Sequence, residues 1–190
     1  GICGGMRCRS DDSYGARTYL AFSTRGNSSG AAAVDTERFR IMAQGGVTFN
    51  GDTSYDNALD DYEEGTWTPS FGNLEAGTTY STQYGRYCKN GSLVQLTGQI
   101  TASGGGLGSD GSGVNIQGFP FAGNSSAEAC LFSFGRYTSL LSDAKLDTFT
   151  NVRFGGNYVM LHEGNNTDVS YAECNTSGTF QFHIAYIINT

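Results

Sequence analysis

The chain has little of what builds helical bundles or membrane spans. Only 2 of its 190 residues are proline, charged residues make up 15%, and leucine, alanine and glutamate do not recur at helical spacing beyond one or two turns. No apolar run approaches the roughly 20 residues that a membrane-spanning helix needs. These absences argue against a helical bundle and against membrane insertion.

Glycine and aromatic residues are abundant instead. The chain has 28 glycines and 13% aromatic residues, a composition that favours strands joined by tight turns. Its length allows one domain with a smaller appendage, or two compact domains, each able to bury a core. We therefore predict an all-β fold.

Charge and cysteine usage exclude several classes of function. A net charge of -7 argues against a nucleic-acid partner, because that binding depends on clustered lysine and arginine. The cysteines are odd in number and mostly isolated, unlike a disulfide framework or a zinc site, so buried free thiols are expected. They are Cys3, Cys8, Cys88, Cys130 and Cys174.

The first 52 residues hold two strand patterns, ARTYLAFSTR and ERFRIMAQGGVTFNG. In the second, Phe39 and Ile41 alternate with polar residues, and Val47 and Phe49 resume the alternation after a Gly-Gly turn. So little apolar material cannot close a core alone, and isolated hairpins are marginal in water. Copies of the chain around a three-fold axis would cover these apolar faces.

Residues 53–66 carry the densest charge. The stretch LDDYEEGTWTP holds four carboxylates within five positions and then the only tryptophan, Trp67. Leu59 and Tyr62 share one side, and Gly65 follows as a stop signal, which predicts a helix of about two turns.

From Trp67 onward the strand patterns become longer. Asn90-Gly91 lies between two alternating runs and predicts a type I′ hairpin in which Lys89 faces Ser92. In the second strand we expect Val94, Leu96 and Ile100 to face inward and Gln95, Thr97 and Gln99 to face outward. Further strand candidates follow at VNIQGF, EACLFSFGRY, TNVRFGG, YVMLHE, DVSYAEC and TFQFHIAYIIN. About eight antiparallel strands with glycine-rich connections indicate a β-sandwich, in particular a jelly roll.

The last of these strands is the most apolar. Phe182, Ile184, Tyr186 and Ile188 fall on one face of TFQFHIAYIIN. We expect the strand to lie in the centre of a sheet or at a subunit contact.

Three ordered blocks, TERFRIMAQGGVTFNGDTS, ALDDYEEGTWTPSF and YGRYCKNGSLVQLTGQI, together resemble the distal end of tail fibres from tailed bacteriophages of the marine and cyanobacterial type. In that family an E-R-x-R-I-x-x-x-G-x-V segment closes a trimeric shaft. Here Glu37, Arg38, Arg40, Ile41 and Val47 occupy it. A D-Y-E-E-G-T-W-T-P block opens the terminal head, and a G-x-Y-x-x-x-G-x-L-V pattern forms the head's first hairpin.

The resemblance implies a homotrimer with an intertwined β shaft over residues 1–52, a partly helical acidic joint over 53–66, and a β-sandwich head over 67–190 that touches the host surface. The implied partners are two further copies of the chain, a host cell-surface glycan or outer-membrane protein, and the rest of the fibre with other tail proteins through the N-terminal side. The implied location is the virion, after assembly in the cytoplasm of the bacterial host. Because the chain starts at Gly1 without an initiator Met, we also expect it to be a piece of a longer protein.

The same resemblance gives the acidic joint a role. Three copies of four carboxylates would meet at one level of the fibre, where they must point outward or pair with arginines such as Arg38 and Arg40. Trp67 would then seat the start of the head on the neighbouring copy. The trimer contacts are thus expected at Phe39, Ile41, Val47, Phe49 and Trp67.

No residue pattern indicates catalysis, a metal or a cofactor. Glycoside hydrolysis needs two separated carboxyl groups across a cleft, which adjacent solvated acids do not provide. The two histidines, His162 and His183, have no neighbouring signature of a triad or a zinc site. We therefore expect no catalytic residue, no metal ligand and no cofactor.

Receptor binding is sought in loops rich in tyrosine, asparagine, serine and aspartate, because aromatic rings stack on sugars while amides and carboxylates bond hydroxyl groups. HEGNNTDVSY and GRYTSLLSD have that mixture. The candidates are Tyr137, His162, Asn165, Asn166, Asp168 and Tyr171.

Two other functions remain open at this point. A tailspike-like glycan depolymerase would release reducing ends from host polysaccharide. A purely structural fibre, serving for trimerisation or capsid decoration, would not bind host cells.

Overall fold

A computed structural model describes most of the chain, and it divides the chain into two compact units, Gly1–Tyr62 and Glu63–Thr190. The residues described are 4–10, 18–25, 35–72, 78–104, 113–123, 130–138, 149–163, 167–170, 175 and 177–188. Their regular structure consists of antiparallel strands and one 3₁₀ turn, so the all-β prediction is confirmed.

Where the structure describes the first unit, it forms one four-stranded antiparallel sheet. Its strands are β1 (Gly4–Ser10), β2 (Thr18–Arg25), β3 (Asp35–Ile41) and β4 (Val47–Phe49), adjacent in chain order. The alternating segments of the sequence therefore form hairpins, as predicted.

One face of this sheet is apolar and is left exposed by the single chain. The strand pairing aligns Met6, Phe22, Phe39 and Phe49 in one row across all four strands, and Cys8, Leu20, Ile41 and Val47 in the next. The three phenylalanine rings contact one another in sequence, with centroids 5.7 Å apart in both pairs. Met6 is 67% exposed and Phe49 is 53% exposed. These eight residues are called the apolar face below.

The opposite face is covered within the unit. Arg40 is buried, its guanidinium carbon lies 3.9 Å above the ring of Tyr19, and it makes two hydrogen bonds to the Glu37 carboxylate at 2.7 and 2.9 Å. Arg38 donates to the Thr24 hydroxyl at 3.0 Å. Both arginines thus have partners inside the sheet, and their expected pairing with the acidic joint stays a prediction.

The acidic joint contains less helix than predicted. A single 3₁₀ turn spans Tyr55–Asn57, and the Asp52 carboxylate before it accepts hydrogen bonds from Ser54 N and Asn57 Nδ2, which lower the pKa of Asp52. Leu59 then pairs with Val47, with N–O distances of 3.1 and 2.9 Å. This pairing extends the chain where the second helical turn was expected.

In its described residues the second unit, called the head below, contains nine strands in two antiparallel sheets. They are β5 (Tyr62–Trp67), β6 (Ser70–Gly72), β7 (Thr79–Asn90), β8 (Leu93–Gly104), β9 (Asn115–Gln117), β10 (Leu131–Thr138), β11 (Phe149–Phe154), β12 (Tyr158–Glu163) and β13 (Gly178–Ile187). One sheet has the order β10-β13-β8-β7-β5 and the other the order β11-β12-β9-β6. Both contribute to one hydrophobic core, which is the arrangement of a β-sandwich.

The predicted hairpin forms with its turn displaced by one residue. Asn90 pairs with Leu93 and Lys89 with Val94, so Gly91 and Ser92 occupy the turn. Gly91 has φ +55° whereas Ser92 has no positive φ, as in a type II′ turn. The pairing shifts by two residues, so the predicted inward positions of β8 are kept.

The most apolar strand lies inside its sheet, as expected. β13 is hydrogen-bonded to β10 on one side and β8 on the other. Phe182, Ile184, Tyr186 and Ile188 are all buried, while Ile187 on the opposite face is exposed.

Two glycines on neighbouring strands make room for aromatic rings at the centre of the head. Gly85 and Gly98 pair with each other, and a Cβ on Gly85 would overlap the Trp67 indole. A Cβ on Gly98 would lie 2.5 Å from Cζ of Phe182. Trp67 is only 7% exposed, meets Phe182 and Phe119 edge to face, and donates Nε1–H to Thr97 O at 3.0 Å.

Trp67 therefore packs within its own chain. The sequence had placed it at a contact between copies, but its ring fills the core of its own head. The physical reason is the surface of β7 and β8, where the paired glycines leave a space of aromatic size.

Replacing Gly98 with alanine should destabilise the head by about 1–3 kcal/mol, because overpacking forces buried rings out of place. The Phe182 ring cannot move aside easily, since it also contacts Trp67 and stacks on Phe132. Urea unfolding of the full chain measures the change. Gly104→Ala in the same strand is the control: its nearest neighbour would be Thr79 Oγ1 at 3.5 Å, so an equal loss in both variants would contradict this packing account.

The Tyr186 phenol should lower the free energy of unfolding at alkaline pH. Burial raises the pKa of Tyr186, and its hydroxyl donates to Phe121 O at 2.7 Å. The unfolded chain releases this proton near pH ~10, so the stabilising contribution is fully present below that pH and is lost as the pH rises above it.

We expect Tyr186→Phe to lower the free energy of unfolding by about 1 kcal/mol at neutral pH through the lost hydrogen bond, and to flatten its decline above pH ~10. Urea unfolding between neutral pH and pH ~11 measures both effects. Tyr62→Phe, at an exposed phenol, should keep the wild-type decline. If the free energy of unfolding declines equally with rising pH in wild type and Tyr186→Phe, Tyr186 is not the cause of the decline.

Candidate functional site

The five-stranded sheet of the head presents a polar surface on the side away from the core. Its outward residues on β10, β13, β8 and β7 align in four rows across the strands. The rows are Thr138–Thr179–Thr101–Thr82, Arg136–Gln181–Gln99–Tyr84, Ser133–His183–Thr97–Arg86 and Leu131–Ala185–Gln95–Cys88. These sixteen residues are called the outer face below.

Hydrogen bonds between strands hold the middle of the outer face in place. Gln181 Nε2 donates to Gln99 Oε1 at 2.8 Å, Gln99 Nε2 donates to Thr101 Oγ1 at 3.4 Å, and the hydroxyls of Thr101 and Thr179 lie 3.0 Å apart. Each amide is therefore oriented before any ligand arrives, which lowers the entropic cost of binding.

A groove of about 350 Å³ opens on this surface. Its polar lining comes from Tyr84, Thr97, Gln99, Ser133, Gln181 and His183. Phe134, Phe182, Gly98 and Gly135 also line it, and the exposed aromatic ring of the groove is that of Tyr84. Polar groups beside an exposed aromatic ring suit a sugar, whose hydroxyl groups bond amides while its carbon face contacts aromatic surface.

Tyr84 lines one side of the groove, and Arg86 lies next to Tyr84. Arg86 Nε donates to the Tyr84 hydroxyl, and the guanidinium carbon lies 5.8 Å from the centre of the ring. This hydrogen bond, with the charge of Glu64 as a smaller cause, raises the pKa of Arg86. Arg86 is thus a permanent cation beside an aromatic ring that is 47% exposed.

A β-bulge decides which side chain of β10 joins the outer face. The register between β10 and β13 shifts between Phe134 and Arg136, so Arg136 pairs with Gln181 and Tyr137 pairs with Phe180. Tyr137, one of the predicted receptor-binding residues, therefore stands in the row of an inward residue and contacts the ring of Phe134. The bulge turns Arg136 outward in its place.

Two other predicted residues meet on the four-stranded sheet. His162, on β12, is 3% exposed, and its Nε2 lies 2.7 Å from Oδ1 of Asp168. The Asp168 side chain is 44% exposed, so only the carboxylate of this pair can meet a macromolecular ligand directly. Burial places the His162 ring inside the head, contrary to its expected position in a receptor-binding loop.

The remaining predicted receptor-binding residues, Asn165, Asn166 and Tyr171, lie outside the described part of the chain. The predicted shaft contacts Phe39, Ile41, Val47 and Phe49 all lie on the apolar face of the first unit. The structure thus brings together the shaft residues, and His162 with Asp168.

Within the described ranges, no three side chains among histidine, cysteine, aspartate and glutamate are close enough to hold a metal ion. In the same part of the chain, none of the helical structure has the length and hydropathy needed to cross a membrane.

The sequence reasoning missed the outer face as a binding surface. It placed Thr97 and Gln99 outward, which is the correct alternation. It could not align these strands, because Gln99 and Gln181 are 82 positions apart. Polar residues at alternating positions of two long strands were the available signal.

Comparison with known proteins identifies no relative. No protein-family model matches the chain, and searches of curated proteins and of solved structures find no match. These comparisons therefore add nothing to the resemblance seen in the sequence and to the geometry of the site.

Proposed function

We propose that this chain is the distal, receptor-binding part of a bacteriophage tail fibre, a homotrimer that attaches the virion to a glycan or protein of the bacterial surface without cleaving it. The two units would then have separate roles, the first in association of the three copies and the head in contact with the host. The jelly-roll-like description of the head stays a prediction.

The observation that carries this proposal is the apolar face. Eight residues of the first unit, among them Phe22, Phe39 and Phe49, form two complete rows with only apolar side chains and cysteine. A soluble single chain rarely exposes so continuous an apolar surface, and such surfaces mark places where proteins associate. Further copies of the same sheet are the occupants that the sequence resemblance implies.

Two ion pairs link three strands of the first sheet. Asp35 accepts from Arg7 at 2.8 Å and from Arg25 at 3.4 Å. These exposed ion pairs join β1, β2 and β3 and contribute little stability, about 0–1 kcal/mol each. Hydrophobic contact between copies is therefore the larger available source of stability for this unit.

The groove on the outer face supports a binding role for the head. Its oriented amides, the Thr97 hydroxyl and the Tyr84 ring provide the contacts that saccharides use. Three such sites on one fibre tip, and several fibres on one virion, would convert weak single contacts into firm attachment through avidity.

We expect the purified chain to have a mass in solution about three times its 20.2 kDa. Phe49→Asp, at the exposed end of the phenylalanine row, should give particles of single-chain mass, because a buried unpaired carboxylate at the contact is costly. Light scattering after gel filtration measures the mass, and circular dichroism checks that strands remain.

The matched control is Gln44→Asp, which adds the same charge at an exposed turn and should leave the mass unchanged. A well-ordered wild-type particle of 20.2 kDa would contradict the trimer.

We expect the purified full chain to bind host cells and to block adsorption of the intact phage, without releasing reducing ends from host polysaccharide. Labelled protein on cells, an adsorption assay and a reducing-sugar assay measure the three outcomes. Release of reducing ends would instead support a depolymerase. Absence of cell binding would support a purely structural fibre.

A further inference from the structure

The outer face carries basic residues on a chain that is acidic overall. Its sixteen residues include two arginines, Arg86 and Arg136, and no aspartate or glutamate, while Glu64 on the edge strand β5 of the same sheet lies near Arg86. The chain as a whole has 18 acidic and 11 basic residues and a net charge of -7. A cationic patch on an acidic protein favours an anionic ligand at this place and disfavours it elsewhere on the surface.

The two arginines lie on either side of the groove. Arg86 is on β7 and Arg136 on β10, separated by β8 and β13, so their strands are about 14 Å apart at the usual strand spacing. Between them lie Gln99, Gln181 and His183, which line the groove. This span exceeds one sugar ring and suits several linked sugars.

The two arginines differ in the contacts that their guanidinium groups make within the chain. Arg86 is bonded to Tyr84 and has Glu64 near it. Arg136 is exposed, and among the residues that the structure describes none accepts a hydrogen bond from its guanidinium. Of the two, Arg136 is therefore better placed to form a bidentate hydrogen bond with a carboxylate.

We propose that the groove of the outer face binds an acidic polysaccharide of the bacterial surface, with a sugar carboxylate on Arg136 and sugar hydroxyl groups on the Gln99 and Gln181 amides. This assignment rests on the proposed function and names the receptor class. Nucleic acid, the other common polyanion, is disfavoured because the face offers two cations and one exposed ring rather than a basic track with successive stacking residues.

The test uses the full chain and three probes: the acidic and the neutral fraction of host surface polysaccharide, separated by anion exchange, and single-stranded DNA. Titration should show binding to the acidic fraction only, weakening as salt rises. Arg136→Gln and Gln181→Ala should each weaken it about 10-fold, since each removes a polar contact, in the first case one to a charged group. Arg153→Gln, which removes an exposed arginine from β11 on the other sheet, is the matched control and should bind like wild type.

Binding of the neutral fraction or of DNA as tight as that of the acidic fraction would overturn this assignment. Equal affinities in Arg136→Gln, Gln181→Ala and the control would do the same, as would failure to bind the acidic fraction.

Adsorption to host cells separates the groove assignment from the proposed function. If Arg136→Gln still attaches to host cells as wild type does, the groove assignment fails and the receptor-binding role stands; if wild type does not attach, that role fails.

Discussion

The head depends on one steric constraint, the absence of side chains at Gly85 and Gly98 on adjacent strands. Their shared surface accepts the Trp67 indole and the Phe182 ring, which meet edge to face and join β5 and β13 to the β7–β8 hairpin. Side chains alternate along a strand, so when these rings pack on the core side of the sheet the neighbouring residues point to the other side. The outward position of Gln99, next to Gly98, follows from this choice.

The two units expose surfaces of opposite character. The first leaves a continuous row of phenylalanine and methionine uncovered, whereas the head buries its aromatic rings and exposes threonine, glutamine and arginine. Apolar surface is stabilised by exclusion of water, which suits permanent contact between copies. Oriented polar groups lose hydrogen bonds to water when they bind a ligand, so the net free energy of each contact is modest. Such contacts suit reversible binding that is repeated over many sites. In the proposed fibre each unit thus supplies the kind of contact that its surface chemistry favours.

The candidate receptor-binding surface lies on strands rather than on the loops where the sequence composition placed it. Tyr137 was chosen for its loop-like surroundings, yet the bulge at Gly135 aligns it with the inward Phe180 and turns Arg136 outward. His162 was chosen for the same reason and is buried next to Asp168. Composition describes which groups are near in sequence, while a binding surface needs groups that are near in space. On the outer face those groups come from distant strands, as with Gln99 and Gln181, which are 82 positions apart.

The sequence alone determined the all-β class, the inward alternation of β8, the hairpins of the first unit and the central place of β13, because these depend on local periodicity and turn residues. It predicted a hairpin at Asn90-Gly91 but not its register, and about two helical turns where Leu59 pairs with Val47 instead. Only the tertiary structure decided that Trp67 fills its own core, that a bulge exposes Arg136, and that Gln99 meets Gln181. Each of these depends on contacts between distant segments, whose energies are set by packing and strand pairing rather than by neighbours in the chain.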